Sequence, residues 1–271
     1  MTNEHNSPGD EPSTPQASEI VYLEIRSRIM NGQLKMSEKL TQSQLCEEFS
    51  VSRTPVREAL RRLEQERLVE STPNSGARVR ELDLDEVEGV YASRILLDTF
   101  AARYTLPLLD SADITTLERH LLEMTDAAVR RDNDAFERPH RAFHAILVSK
   151  TYPALSTLIT ELGERTERFR RIFRAQDSVR WETGHDEHRT IYAAVADRDA
   201  DTLVRLLATH LATTALYVIT GADPTRGGLF IRRAHSQATG DQTAPDDSLL
   251  AAALRLRPQA GSLESRLNRD A

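Results

Sequence analysis

SRTPVREALRRLEQERLVE, residues 52–70, is the stretch whose reading decides the fold. It reads as a helix built to lie in a DNA groove. Ser52 or Thr54 can cap its start, and Pro55 falls in the first turn, where a missing N–H costs nothing. Val56, Leu60 and Leu63 recur at helical spacing and predict the buried stripe. Arg53, Arg57 and Arg61 fall on a different side, one turn apart. A short helix with a hydroxyl-rich N-terminus and arginines on its open face can approach phosphates and base edges closely. Taken alone, those arginines fit the solvated face of an ordinary core helix better. The flanking sequence reverses that order.

Upstream, TQSQLCEEF (residues 41–49) is a second helical pattern with Leu45 and Phe49 on one face, joined to the first by Ser50-Val51. Helix, tight turn, helix with arginines is helix-turn-helix spacing. Before it, Ile20–Met30 is amphipathic through Leu23, Ile25 and Ile29 and ends at the turn-like Asn31-Gly32. After it come Leu68-Val69-Glu70, a turn-rich run from Thr72 to Gly76, and Ala77-Arg78-Val79. Two short extended runs around an Asn/Gly turn predict a β-hairpin, the wing. Residues 19–80 therefore read as one winged helix-turn-helix domain. Residues 1–18, rich in Pro, Ser, Asn and acids, read as a disordered leader.

Ile29-Met30-Asn31-Gly32-Gln33-Leu34, Lys39-Leu40, Leu45, SRTPVREALRRLE, Leu68-Val69 and Asn74-Ser75-Gly76 together resemble the GntR family of bacterial transcription regulators. The resemblance spans essentially this whole domain. It implies that arginines of the second helix read the operator major groove and that the wing glycine touches the adjacent minor groove. By position, that places Ser52, Arg53, Thr54 and Arg57 at DNA and Gly76 at the wing tip. The chain departs from the family at Met36-Ser37, where Pro-Gly is usual, and at Arg67, where Gly is usual. Both departures lie in connections and bear on loop shape more than on DNA binding.

A chain of 271 residues has room for two domains with cores. Its formal net charge of -7 is odd for a protein wrapped in nucleic acid, but not for one that touches DNA through a single small domain. The one cysteine, Cys46, excludes an internal disulfide and reads as a small core residue. No apolar run approaches the length of a membrane span, and the polar N-terminus has no signal-peptide pattern. A soluble, cytoplasmic protein is the expectation.

Residues 81–222 show repeated amphipathic helical patterns near 84–104, 111–131, 134–150, 153–176, 185–197 and 200–220. Breaks are expected at Pro107, Asp132-Asn133, Tyr152-Pro153, Gly184 and Arg198-Asp199, and an all-helical bundle follows. The fold class is mainly α: a winged helix-turn-helix domain, then a helical bundle. Residues 223–271 read as a loosely ordered tail with one short helix candidate at 248–256. His144 shares a helical face with Phe136, His140, Phe143 and Leu147. His188 lies on a stripe with Ile191, Tyr192 and Val195, and His210 on one with Leu203, Thr214 and Tyr217. Histidines on three inward stripes can converge on a metal ion, or each can simply be a satisfied core residue; spacing leaves both readings open. Arg94 shares a stripe with Val87, Tyr91 and Asp98. Its partner is either a ligand carboxylate or Asp98 one turn on. The arginine-rich stretch 164–174 reads as a solvated face from which one arginine could reach a ligand pocket.

Arg94-Ile95-Leu96-Leu97-Asp98, Phe143-His144, Glu187-His188 with Ala193-Ala194-Val195, and His210-Leu211 resemble the FCD effector domain of the FadR-type branch of the same family. The resemblance implies a divalent transition metal such as Zn or Ni, bound by an Asp and three His beside a pocket for a small organic acid. The three histidines map onto His144, His188 and His210, and the Asp position holds His140. A homodimer on palindromic operator DNA, most often a repressor, is implied as well. Two alternatives use the same histidines: a metal-sensing regulator, and a metal-dependent enzyme fused to a DNA reader. Against the enzyme stands the lack of an acid/base motif such as HExxH.

Overall fold

The structure, a computed structural model, describes residues 14–72, 76–176 and 178–241, together with Leu249, Ala251 and Ala253. The chain divides into two compact units between Glu81 and Leu82. In the first, α1 (Thr14–Met30) buries Val21, Tyr22, Ile25 and Ile29 against α3 (Arg53–Gln65). Leu23, expected on that stripe, is 53% exposed, because the buried face runs 21-25-29. Thr14–Ser18, assigned to the leader, already belong to α1; the rest of the leader lies outside the described residues.

Thr41 ends β1 (Lys39–Thr41) and caps α2 (Gln42–Phe49), its hydroxyl accepting from the Gln44 N–H and donating to the Gln44 side-chain oxygen at 2.6 Å. Ser50 adopts a left-handed conformation, φ 52°, and the Val51 N–H bonds back to the Cys46 carbonyl at 3.1 Å. That closes the tight bend into α3. Ser52 occupies the N-cap position of α3, but its side chain makes no capping hydrogen bond. The helix stops at Gln65: Arg67, φ 56°, turns the chain, and buried Leu68 and Val69 lead into β2 (Val69–Thr72), the first extended run of the expected hairpin.

β3 (Gly76–Val79) lies between β1 and β2, antiparallel to both. β1 has only three residues, too few for a readable alternation, and the sequence reading has no strand there. Gly76 pairs with Thr41 on one side and Thr72 on the other. At φ +136°, a Cβ would fall 2.1 Å from the Leu40 carbonyl oxygen, so only glycine fits. Gly76 thus closes, with Thr72, the last pair of the hairpin before its turn. The turn residues Asn74 and Ser75 lie outside the described residues.

The second unit is a bundle of α4 (Leu84–Thr105), α5 (Ser111–Arg130), α6 (Asn133–Leu147), α7 (Pro153–Gln176), α8 (Ser178–Ala196) and α9 (Ala200–Ala222). Asp83, Asp110, Asp132 and Asp199 each accept first-turn backbone N–H groups, which starts four of these helices. Val87, Tyr91, Ile95, Phe143, Ile191, Leu203 and Leu207 form the core. The break expected at Gly184 is absent: α8 runs through it, since one helical glycine costs only about 1 kcal/mol. α6 likewise continues through Pro139.

Two further expectations are corrected. α9 is long and apolar enough to cross a bilayer by length and composition, and 78% of its most apolar window is buried inside the bundle, as in a core helix. The tail is not structureless throughout: Leu229–Thr239 form α10, with Ile231 and Ala234 buried against α4 and α9. At the start of α10, Gly228, φ +59°, lies so close to α9 that a Cβ would meet Leu216 Cδ2 at 2.4 Å. Most of the helix candidate at 248–256 falls outside the described residues.

Candidate DNA-reading surface and candidate metal centre

On α3, Pro55, Val56, Ala59, Leu60 and Leu63 are buried, so the helix is anchored by one face. The opposite face presents Ser52, Arg53, Thr54, Arg57 and Arg61, all exposed. Among the described residues no acidic side chain pairs with Arg53, Arg57 or Arg61. Three other arginines of this unit differ. Arg26 pairs with Glu66 at 3.1 Å, Arg28 with Glu24 at 2.8 Å and with Glu48, and Arg62 with Glu19. Arg62 also stacks 3.8 Å over the Tyr22 ring. The open face of α3 thus carries cations without local counter-charges beside the free N–H groups of a helix start, which suits phosphate and base-edge contacts.

In the helical unit, α6 projects His140 and His144 from successive turns, α8 projects His188 and α9 projects His210. One ligand atom from each of the four lies within 4.8 Å of the others. His140, His188 and His210 are buried. The Nε2 atoms of His144 and His188 are 3.2 Å apart, and the His188 and His210 rings are 4.5 Å apart between centroids. Burial, helped by neighbouring His188, His210, Arg94 and Arg170, holds His144 well below the ordinary imidazole value. A neutral ring is the form that binds a metal. His210 Nδ1 lies 2.7 Å from Glu187 Oε2; an Nδ1–H donated there leaves the Nε2 lone pair available. The sequence reading did not single out this role for Glu187. His120 pairs with Glu123, and His235 bonds Thr209 at 3.1 Å, both away from the cluster.

A cavity of about 60 Å³ opens beside the cluster, its wall including Arg94, Asp98, His140, Arg141, His144 and Arg170. Arg94 donates to Asp98 at 2.8 Å and to Thr166 at 2.9 Å, so the pair with Asp98 is formed. Arg170 donates to the same Thr166 hydroxyl at 2.8 Å and to Glu137 at 2.9 Å. The Nε atoms of Arg94 and Arg170 and Asp98 Oδ1 have no partner among the described residues. Burial pushes the Asp98 carboxyl up, against the pull of Arg94, His210 and Arg170. The arginine-rich stretch on α7 is solvated only in part: Arg165 is exposed, while Thr166, Glu167, Arg170 and Arg171 are buried. Carboxylates of α6 and α7 (Asp134, Glu137 and Glu167) make that burial possible.

Comparison with known proteins bears on both surfaces. The family model described as bacterial regulatory proteins, gntR family, matches residues 17–79, and the FCD domain model matches residues 89–213. An uncharacterized HTH-type transcriptional regulator of Bacillus subtilis, YdhC, is 29% identical over 192 residues, 70% of this chain and 85% of that protein. The gluconate operon transcriptional repressor of Bacillus licheniformis is 27% identical over 205 residues, 69% of this chain and 79% of the repressor. Among solved structures, E. coli McbR/YncC superposes with a TM-score of 0.58 at 20% identity, covering 76% of this chain and 99% of its own. That last likeness is one of fold.

Proposed function

This chain belongs to the gntR family of bacterial regulatory proteins and is a DNA-binding transcription regulator with an FCD domain; we propose that a divalent metal and a small organic acid in its helical unit control operator binding. The observation that carries the proposal is the convergence of His140, His144, His188 and His210 beside a cavity walled by Arg94 and Arg170. Imidazole donors suit zinc, nickel and similar ions. Bound there, the metal supplies a Lewis-acid anchor for a carboxylate. Arg94 and Arg170 supply a cationic wall that orients the rest of the acid. Ser52, Arg53, Thr54 and Arg57 touch the operator, and the wing glycine, Gly76, meets the adjacent groove.

The working species is a cytoplasmic homodimer with no membrane contact, its two α3 helices on two half-sites of an imperfect palindrome. In support, Leu96, Phe100 and Tyr104 recur every four residues along α4 and stand exposed, an apolar stripe that a second copy would cover. The gluconate operon protein is a named repressor, which favours repression here, relieved by the acid. The acid acts by binding one arrangement of the two readers more tightly than the other.

A second reading has its own support. Four imidazoles can close a tetrahedral shell around zinc, which leaves no position for an acid and makes the metal itself the signal. One titration separates the two. Operator binding is followed by fluorescence anisotropy while metal and small organic acids are added independently to chelator-treated protein. The acid-sensor reading expects the metal-loaded protein to lose DNA affinity only when an acid is present. A shift with metal alone overturns it in favour of metal sensing.

A further inference from the structure

We propose that Glu187 is the outer carboxylate of the metal centre, supplying the negative charge that four imidazole donors lack and fixing His210 for coordination. The inference rests on the metal reading above. Among the described residues the clustered donors are four histidines, with no carboxylate in the set. A divalent ion moved from water onto four neutral donors keeps its full charge in a partly buried site, and that is costly without a nearby anion.

Asp98, Glu137 and Glu187 are carboxylates that neighbour the cluster. Asp98 faces Arg94 at 2.8 Å, and Glu137 faces Arg170 at 2.9 Å, so each already serves a guanidinium. Glu137 also stands no nearer to His140 than 4.0 Å. Glu187 differs in touching a ring of the cluster directly, with Oε2 2.7 Å from His210 Nδ1. Its other oxygen accepts from the Thr213 hydroxyl at 3.3 Å, on the α9 turn after His210.

The placement is economical in the fold. Glu187 and His188 are neighbours on α8, so one turn sends an imidazole into the cluster and a carboxylate across to α9. The Glu187 side chain is 26% exposed while that of His210 is 6% exposed, so the charge sits at the rim and the ring inside. A ring that donates Nδ1–H to a carboxylate is held in one tautomer and orientation, and its Nε2 becomes a stronger donor.

The test measures Co²⁺ and Zn²⁺ affinity of the full chain, using the visible absorption of bound Co²⁺ and competition by Zn²⁺. Glu187→Gln keeps an acceptor for His210 but removes the charge, and should weaken metal binding by about 10–100-fold. His140→Asp returns a negative charge to the donor set. In the Glu187→Gln background it should restore affinity by about tenfold or more, and in the wild-type background by less. Unchanged melting of the metal-free Glu187→Gln protein is the expected control. Wild-type affinity in Glu187→Gln, or a loss that His140→Asp does not recover, overturns the proposal. Should Glu187→Gln not fold, Glu187→Asp withdraws the carboxylate while keeping its charge and should cost an intermediate factor; an unchanged affinity there overturns it equally. A wild-type protein that takes up neither ion sinks the metal reading itself.

Discussion

The arginines of the two units are the same residue put to opposite uses. On α3, Arg53, Arg57 and Arg61 stand in solvent with no acidic partner among the described residues. In the helical unit, Arg94, Arg170 and Arg171 are buried and each faces a carboxylate. A cation left unpaired on a surface costs little and is available to a polyanion from outside the chain. A cation sealed inside must be matched within the chain or it destabilises the fold. The difference separates a contact surface from a supporting wall without any appeal to sequence similarity.

Three substitutions would break or sharpen that contrast. The largest effect is expected from Glu137→Gln, which strands the buried Arg170 guanidinium and should cost about 3–5 kcal/mol of unfolding free energy in urea. A loss below 1 kcal/mol would mean that water already shares the Arg170 charge. Arg57→Ala should leave the urea midpoint nearly unmoved while weakening operator binding by about 1–3 kcal/mol, if the side chain makes a bidentate base contact. Equal affinity and equal sequence preference in an anisotropy titration would remove Arg57 from the reading surface. The smallest change is expected from Arg67→Gly. Arg67 holds a left-handed conformation, φ 56°, and relief of that strain should stabilise the protein by roughly 0.5–1 kcal/mol, read as a higher melting temperature. Lost DNA binding in that variant would show that Arg67 does more than turn the chain.

Local spacing made much of this molecule legible. Val56, Leu60 and Leu63 announced the anchored face of α3, and the stripes around His144, His188 and His210 announced which helices turn those rings inward. What spacing could not carry was distance across the bundle. Glu187 meets His210 only because α8 and α9 pack together, and nothing within either segment encodes that meeting. Arg170 looked solvated because its carboxylate, Glu137, sits on another helix. β1 was too short to show a period, and the burial of α10 rests on two residues, Ile231 and Ala234. The departures at Ser37 and Arg67 are informative in the other direction. Both residues keep positive φ, 64° and 56°, so the backbone path survives where glycine would ease it.

Thr41 is shared by two parts of the reader: it pairs with Gly76 in the sheet and caps the helix ahead of the bend. Through that residue, and with the Leu40 carbonyl close against Gly76, the hairpin is tied directly to the start of α2. Wing and reading helix are therefore joined through a single short element, α2 with its bend, like two teeth cut on one key. On the proposed DNA-reading role, an operator half-site lengthened by one base pair between helix and wing should bind more weakly.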